Sequence, residues 1–182
     1  MIFLKKIYNV LLSYITLFKY KLIYGDKFVF SWSDRLDKSV KIRINGNGKL
    51  ILGKRVGIRS EVIFNITNGR IYIGDDVFFN DFCCLNARKN IIIKNGNIIG
   101  QSVKMYDHDH DYKKNFREDF IVDDIMVDTN CWIGSDSILL KGTKIGKNCV
   151  IGAASIVKGE IRDNIVFINK RSKEEIAIHN KN

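Results

Sequence analysis

From residue 127 the chain divides into hexads: VDTNCW, IGSDSI, LLKGTK, IGKNCV, IGAASI and VKGEIR. The first position is aliphatic every time, at Val127, Ile133, Leu139, Ile145, Ile151 and Val157. Aliphatic residues are a minority of the chain, so an unbroken run in one phase arises by chance on the order of once in a thousand. The second position is Gly in three of the six hexads, and the fifth is small until Ile161. A period of six is neither the 3.6 of a helix nor the simple alternation of a hairpin. It is the hexapeptide signature of a parallel β-helix.

The same phase runs upstream with interruptions. Leu52, Ile58 and Phe64 keep it; Ile73, Phe79 and Leu85 resume it; Ile93, Ile99 and Met105 resume it again. Three hexads make one triangular coil, which predicts about five coils between residues 52 and 161. Each coil adds one strand spacing of about 4.8 Å. Aliphatic residues stack inward, and Gly and Asn are expected at corners that need positive φ. Cys131 and Cys149, 18 residues apart, are expected to stack as small buried hydrophobes.

The phase is lost after Met105 and returns at Val127. The stretch 106–126 is polar and opens, just past Met105, with YDHDHDY, which carries two of the three histidines among three aspartates. A long excursion from a rigid repeat is where function tends to sit. The segment alone allows a metal site, a catalytic base or a solvated acidic loop.

Composition narrows the classes. The chain has 182 residues, 46% hydrophobic and 27% charged, with a net charge of +10. That fits one globular domain and a polyanionic neighbour. No nucleic-acid-binding motif accompanies the scattered charge. Four cysteines without a CxxC pair argue against a zinc cluster, and the absence of a leader-like start favours a reducing cytoplasm. The N-terminus, MIFLKKIYNVLLSYITLFKYKLIYG, is apolar but broken by four lysines. Its uncharged run from Ile7 to Phe18 is too short to span a bilayer, which needs about 20 residues. It reads as a helix, lying on an anionic membrane or packed on its own domain or a neighbouring subunit.

Three phrases, IGDDVFFNDFCCLN, IIGQSVKMYDHDHDY and CWIGSDSILLKGTKIGKNCVIGAASIVKGEI, together resemble the hexapeptide-repeat acyltransferases. The likeness covers roughly residues 45–173 and is closest to O-acetyltransferases of maltose, galactosides, Nod factors and bacterial surface polysaccharides. It implies a left-handed parallel β-helix over residues 31–168, with an extruded catalytic loop at 106–126. Residues 1–30 would be a helical apolar and basic segment, and 169–182 a polar tail. It further implies a cytoplasmic homotrimer, with active sites between subunits, that moves acetyl from acetyl-CoA to a carbohydrate hydroxyl. In the family an aliphatic residue precedes the catalytic histidine by five positions, which from Met105 selects His110 as general base. The family's acceptor-binding Asn precedes that histidine by 30 positions, which selects Asn80. His108 becomes an acceptor contact, and Trp132, in a WIG phrase, would line the acyl and acceptor pocket. Ser135, Ala153, Lys158 and Lys173 match positions that contact the coenzyme. The family's closing GNPAK-type phrase is replaced here by INKRSK, which keeps basic residues but no Gly or Pro.

A neutral imidazole suits removal of a hydroxyl proton near neutral pH, and such a base contributes about 10²–10⁴-fold. Asp107, Asp109 and Asp111 are each placed to orient it. No metal is expected: the loop offers two histidines where the gamma carbonic anhydrases, a related β-helix class, use three. Two other readings stay open. One is an N-acetyltransferase of an amino-sugar nucleotide or a drug; the other is a non-catalytic β-helix scaffold.

Overall fold

The computed structural model describes residues 2–170, with side chains from residue 7 onward. Lys173 and the rest of the tail lie outside the described residues. The fold is a left-handed parallel β-helix of about six turns behind one N-terminal helix, α1 (Ile2–Tyr24).

Each turn lays one short strand on each of three faces. The first face holds Phe28–Val29, Lys49–Leu52, Arg70–Ile73, Asn90–Ile93, Ile125–Val127, Lys144–Ile145 and Glu160–Ile161. The second holds Arg35–Leu36, Gly57–Ile58, Phe78–Phe79, Ile98–Ile99, Trp132–Ile133, Val150–Ile151 and Val166–Phe167. The third holds Lys41–Asn45, Ile63–Thr67, Cys84–Ala87, Lys104–Tyr106, Ile138–Leu140 and Ile156–Val157.

The strand register repeats the hexad phase. Leu52 pairs with Ile73, Ile73 with Ile93, Ile93 with Val127, Val127 with Ile145, and Ile145 with Ile161. Phe64, Leu85, Met105, Leu139 and Val157 form the equivalent column on the third face. All of these are buried, because strand alternation turns every second side chain into the bore. Five turns separate Leu52 from Ile161, as the hexads predict. One further turn, from Phe28, precedes them.

Cys131 and Cys149 are buried, and their thiols donate to the carbonyls of Gly146 (3.0 Å) and Arg162 (3.1 Å). Burial pushes the Cys131 thiol up to about 11, and the buried Cys83 up to about 12.

The corners correct one expectation. Glycine and asparagine are not the rule there: Arg55, Glu61, Phe82, Ser102 and Ala154 also adopt positive φ. A left-handed residue costs roughly 1–2 kcal/mol. Here the corner N–H groups offset part of that by donating along the stack, as from Phe82 to Ser60 O (2.9 Å) and from Ala154 to Ser135 O (2.7 Å). Glycine is instead required where backbones touch. A Cβ on Gly134 would stand 2.5 Å from the Ala153 nitrogen and 2.6 Å from the Ile151 oxygen.

Helix α1 closes the open end of the solenoid. Ser13, Leu17 and Tyr20 are buried against the first turn. Ser13 Oγ accepts from Leu36 N (2.8 Å), Tyr20 Oη donates to Val40 O (2.8 Å), and Tyr24 Oη to Ile42 O (2.9 Å). These groups belong to a turn with no turn before it, so the helix satisfies an edge that would otherwise be left open.

Candidate active site

The excursion leaves the third face at Tyr106 and rejoins the first face at Ile125. It is an antiparallel hairpin in which His108 faces Val122, Asp109 faces Ile121, and His110 faces Phe120. Its base is closed by Asp123 N donating to Asp107 O (2.8 Å) and its far end by Asp111 N donating to Asp119 O (2.9 Å). Strand alternation puts His108 and His110 on one side of the hairpin and Asp109 on the other. Asp109 forms an ion pair with Lys141 at 3.4 Å.

Asp107 is the anchor. It continues the inward phase of Val103 and Met105, and it is fully buried. A carboxylate cannot sit there unpaired. It accepts from Arg88 N (2.8 and 3.0 Å) and Lys89 N (2.7 Å), and it contacts His108 Nδ1 at 2.9 Å. His108 is therefore held by a fixed carboxylate, with its side chain 17% exposed. His110 is exposed, and its Nδ1 meets the Phe116 carbonyl. A carbonyl only accepts, so this contact places the proton of a neutral His110 on Nδ1 and leaves the lone pair on Nε2. The Asp107 contact selects the same tautomer in His108.

Phe120 binds the two rings into one unit. Its centroid lies 4.6 Å from that of His110 and 5.4 Å from that of His108. The Arg88 guanidinium covers Phe120 at 3.4 Å from its centroid. Phe120, Arg88, the Phe116 carbonyl and the particular role of Asp107 were not singled out from the sequence. Only Asp107 left a signal there, as an acidic residue two positions past Met105 in the inward phase.

The other candidate residues occupy different edges. Asn80, Ser135 and Ala153 lie at the corner between the second and third faces, on strand exits at Phe79, Ile133 and Ile151. Trp132 is exposed on the outer side of the second face, between Ile98 and Val150. With Phe78 and Val166 it continues an exposed apolar row along that face. Lys158 is exposed at the corner between the third and first faces, the same edge that extrudes the histidines. One chain therefore brings His108, His110 and Lys158 to one edge, and Asn80, Trp132, Ser135 and Ala153 to another edge and face. Among the described residues no group of three His, Cys, Asp or Glu side chains is placed to hold a metal ion.

Residues 125–159 match the bacterial transferase hexapeptide family (six repeats). The chain is similar to a galactoside O-acetyltransferase of Lactococcus lactis, 27% identical over 117 residues, covering 63% of this chain and 56% of that protein. It is similar to a putative lipopolysaccharide biosynthesis O-acetyl transferase of Escherichia coli, 26% identical over 145 residues, covering 71% and 72% respectively. It thus spans little more than half of the first relative and nearly three quarters of the second. A solved variant of AntD, an N-acyltransferase from Bacillus cereus bound to dTDP and coenzyme A, shares the fold. Its TM-score is 0.70 at 20% identity, with 83% of each chain covered.

Proposed function

We propose that this chain, a member of the hexapeptide-repeat acyltransferases, acetylates a sugar hydroxyl of a bacterial surface polysaccharide or its precursor, in the cytoplasm. Acetyl-CoA would supply the acyl group as a thioester. The observation that carries the reading is the hairpin histidine pair, each ring with Nδ1 committed to an acceptor. His110 is the general base of the proposal. Its Nε2 takes the hydroxyl proton as the acceptor oxygen attacks, and returns that proton to the departing thiolate. The direct transfer needs no nucleophilic thiol, which agrees with the burial of Cys83, Cys131 and Cys149.

The separation of candidate residues onto different edges supports a homotrimer with shared sites. A cleft between neighbours would join His110, His108 and Lys158 of one subunit to Asn80, Trp132, Ser135 and Ala153 of the next. Ser135 and Ala153 fit an extended coenzyme arm, since they follow one another along a single corner. Lys158 adds positive charge for its phosphates.

Free-thiol release from acetyl-CoA, measured with a panel of glycans, tests the reading. A glycan should stimulate release, and His110→Ala should lose at least about 100-fold. Mixing His110→Ala with Trp132→Ala subunits should recover part of the activity if sites are shared. No stimulated release from any acceptor would leave the scaffold reading.

One observation favours a variant of the mechanism: of the two hairpin histidines, His108 and not His110 has a buried carboxylate behind it. In that case His108→Ala and Asp107→Asn carry the loss in kcat, and His110→Ala acts mainly on KM. The fold shared with AntD keeps nitrogen acceptors in the panel. Faster turnover of an amino-sugar nucleotide than of any hydroxyl acceptor would replace the O-acetyl assignment.

A further inference from the structure

We propose that the outward side of α1 docks on an anionic lipid bilayer. The inference rests on the helix alone, so its failure and that of the acetyl-transfer reading are separable.

The helix has two apolar sides. One is spent on the first turn through Ser13, Leu17 and Tyr20. On the other side Ile7, Leu11, Ile15, Phe18 and Leu22 follow at helical spacing, each between 43% and 70% exposed. Trp32, 63% exposed, continues the stripe and packs its ring 6.0 Å from Tyr14. A contiguous apolar patch of this kind marks an interaction surface. An indole beside it suits the boundary between lipid and water.

Charge decides the occupant. The first 25 residues contain Lys5, Lys6, Lys19 and Lys21 and no acidic residue. Lys19 lines the hollow formed by Ile15, Phe18, Leu22 and Trp32. Lys21 is turned onto the Gly25 and Phe28 carbonyls (3.0 and 3.2 Å), so a second copy meeting this side end to end would set Lys19 against Lys19, with no acidic residue in the first 25 to compensate. A copy packed alongside the solenoid would cover its faces and leave the capped end open. A sheet of negative lipid headgroups satisfies the apolar stripe and Lys19 together. No helix among the described residues is long and apolar enough to cross a membrane, so the contact is one of a helix lying flat. The solenoid axis would then stand away from the surface, with the histidine hairpin held several turns above it.

Co-sedimentation of the full chain with vesicles tests this, using phosphatidylcholine alone and phosphatidylcholine mixed with phosphatidylglycerol. The wild type should pellet with the mixed vesicles, be released by salt, and partition at least tenfold less onto phosphatidylcholine alone. Ile15→Asp combined with Phe18→Asp should reduce partition at least tenfold with an unchanged melting curve, since both residues are exposed. Leu22→Gln and Lys19→Glu, milder changes, should each reduce it about fivefold or more. Equal binding to both vesicle types would overturn the proposal, as would no binding to either. Loss of the wild-type oligomer in Ile15→Asp would also overturn it, by assigning the stripe to a second copy.

Discussion

Removing the Asp107 carboxylate should cost more than any other single change in the hairpin. The side chain is fully buried and accepts from two backbone N–H groups, at Arg88 and Lys89, as well as contacting the His108 ring. Bonds to a charged acceptor contribute about 1.5–3 kcal/mol each. In Asp107→Ala both half-buried amides lose their charged acceptor, while the ring can turn toward water. Two amide bonds therefore set the loss at about 3–6 kcal/mol at most, a large share of a domain's usual stability of about 5–15 kcal/mol. Asp107→Asn keeps the shape, but its NH₂ must face one of the two donors, so about 2 kcal/mol is expected. Urea unfolding at fixed protein concentration measures the total. Hydrogen exchange at the Arg88 and Lys89 amides shows whether the loss begins at the anchor. A loss below about 1 kcal/mol in Asp107→Ala, with both amides still protected, would refute the assignment of the carboxylate as anchor.

Gly134→Ala should destabilise by about 2–3 kcal/mol in thermal melts, since its Cβ meets backbone rather than a movable side chain. Cys83 and Cys131 hold their protons in the fold above the ordinary thiol value of 9.0, because burial disfavours the thiolate. Their contribution to stability is complete below about pH 9 and is lost as pH rises toward 11 for Cys131 and 12 for Cys83; urea midpoints across that range should fall, less steeply in Cys83→Ala. Phe120→Ala removes the ring between the two histidines and beneath Arg88, and should lower acetyl transfer at least about tenfold with little change in melting temperature.

The repeat from Val127 onward was legible because nothing interrupts it, and each aliphatic position lands on the inward partner one turn away. The turn before Leu52 was not. Phe28, Leu36 and Ile42 lie eight and then six residues apart, so no fixed phase announces them. A helix packed on its own domain was among the readings of the N-terminus, and α1 is one; that it caps the open end was hidden, since Ser13, Tyr20 and Tyr24 act through hydrogen bonds to edge groups rather than through periodicity. Corners carrying Arg55, Glu61 and Phe82 escaped a rule built on glycine and asparagine, because the cost of positive φ is offset between turns and not within a dipeptide. In the site, the histidine pair stood out by its spacing. That Asp107 serves His108, while His110 leans on a main-chain carbonyl, depended on which way the hairpin folds. The division of Asn80, Trp132 and the histidines among separate edges depended on counting turns from one corner to the next.

The hairpin leaves and returns at a single corner, and the ladder closes across the gap: Ile91 pairs with Ile125 and Met105 with Leu139 as though no residues intervened. Insertions there do not propagate into the scaffold. Changes of length within residues 108–122 are therefore expected to leave the ladder intact, so long as Asp107, its amide partners, Arg88 and Lys141 remain to receive the hairpin. Under the acetyl-transfer proposal, the hairpin could change its contacts to the acceptor while the architecture stays fixed.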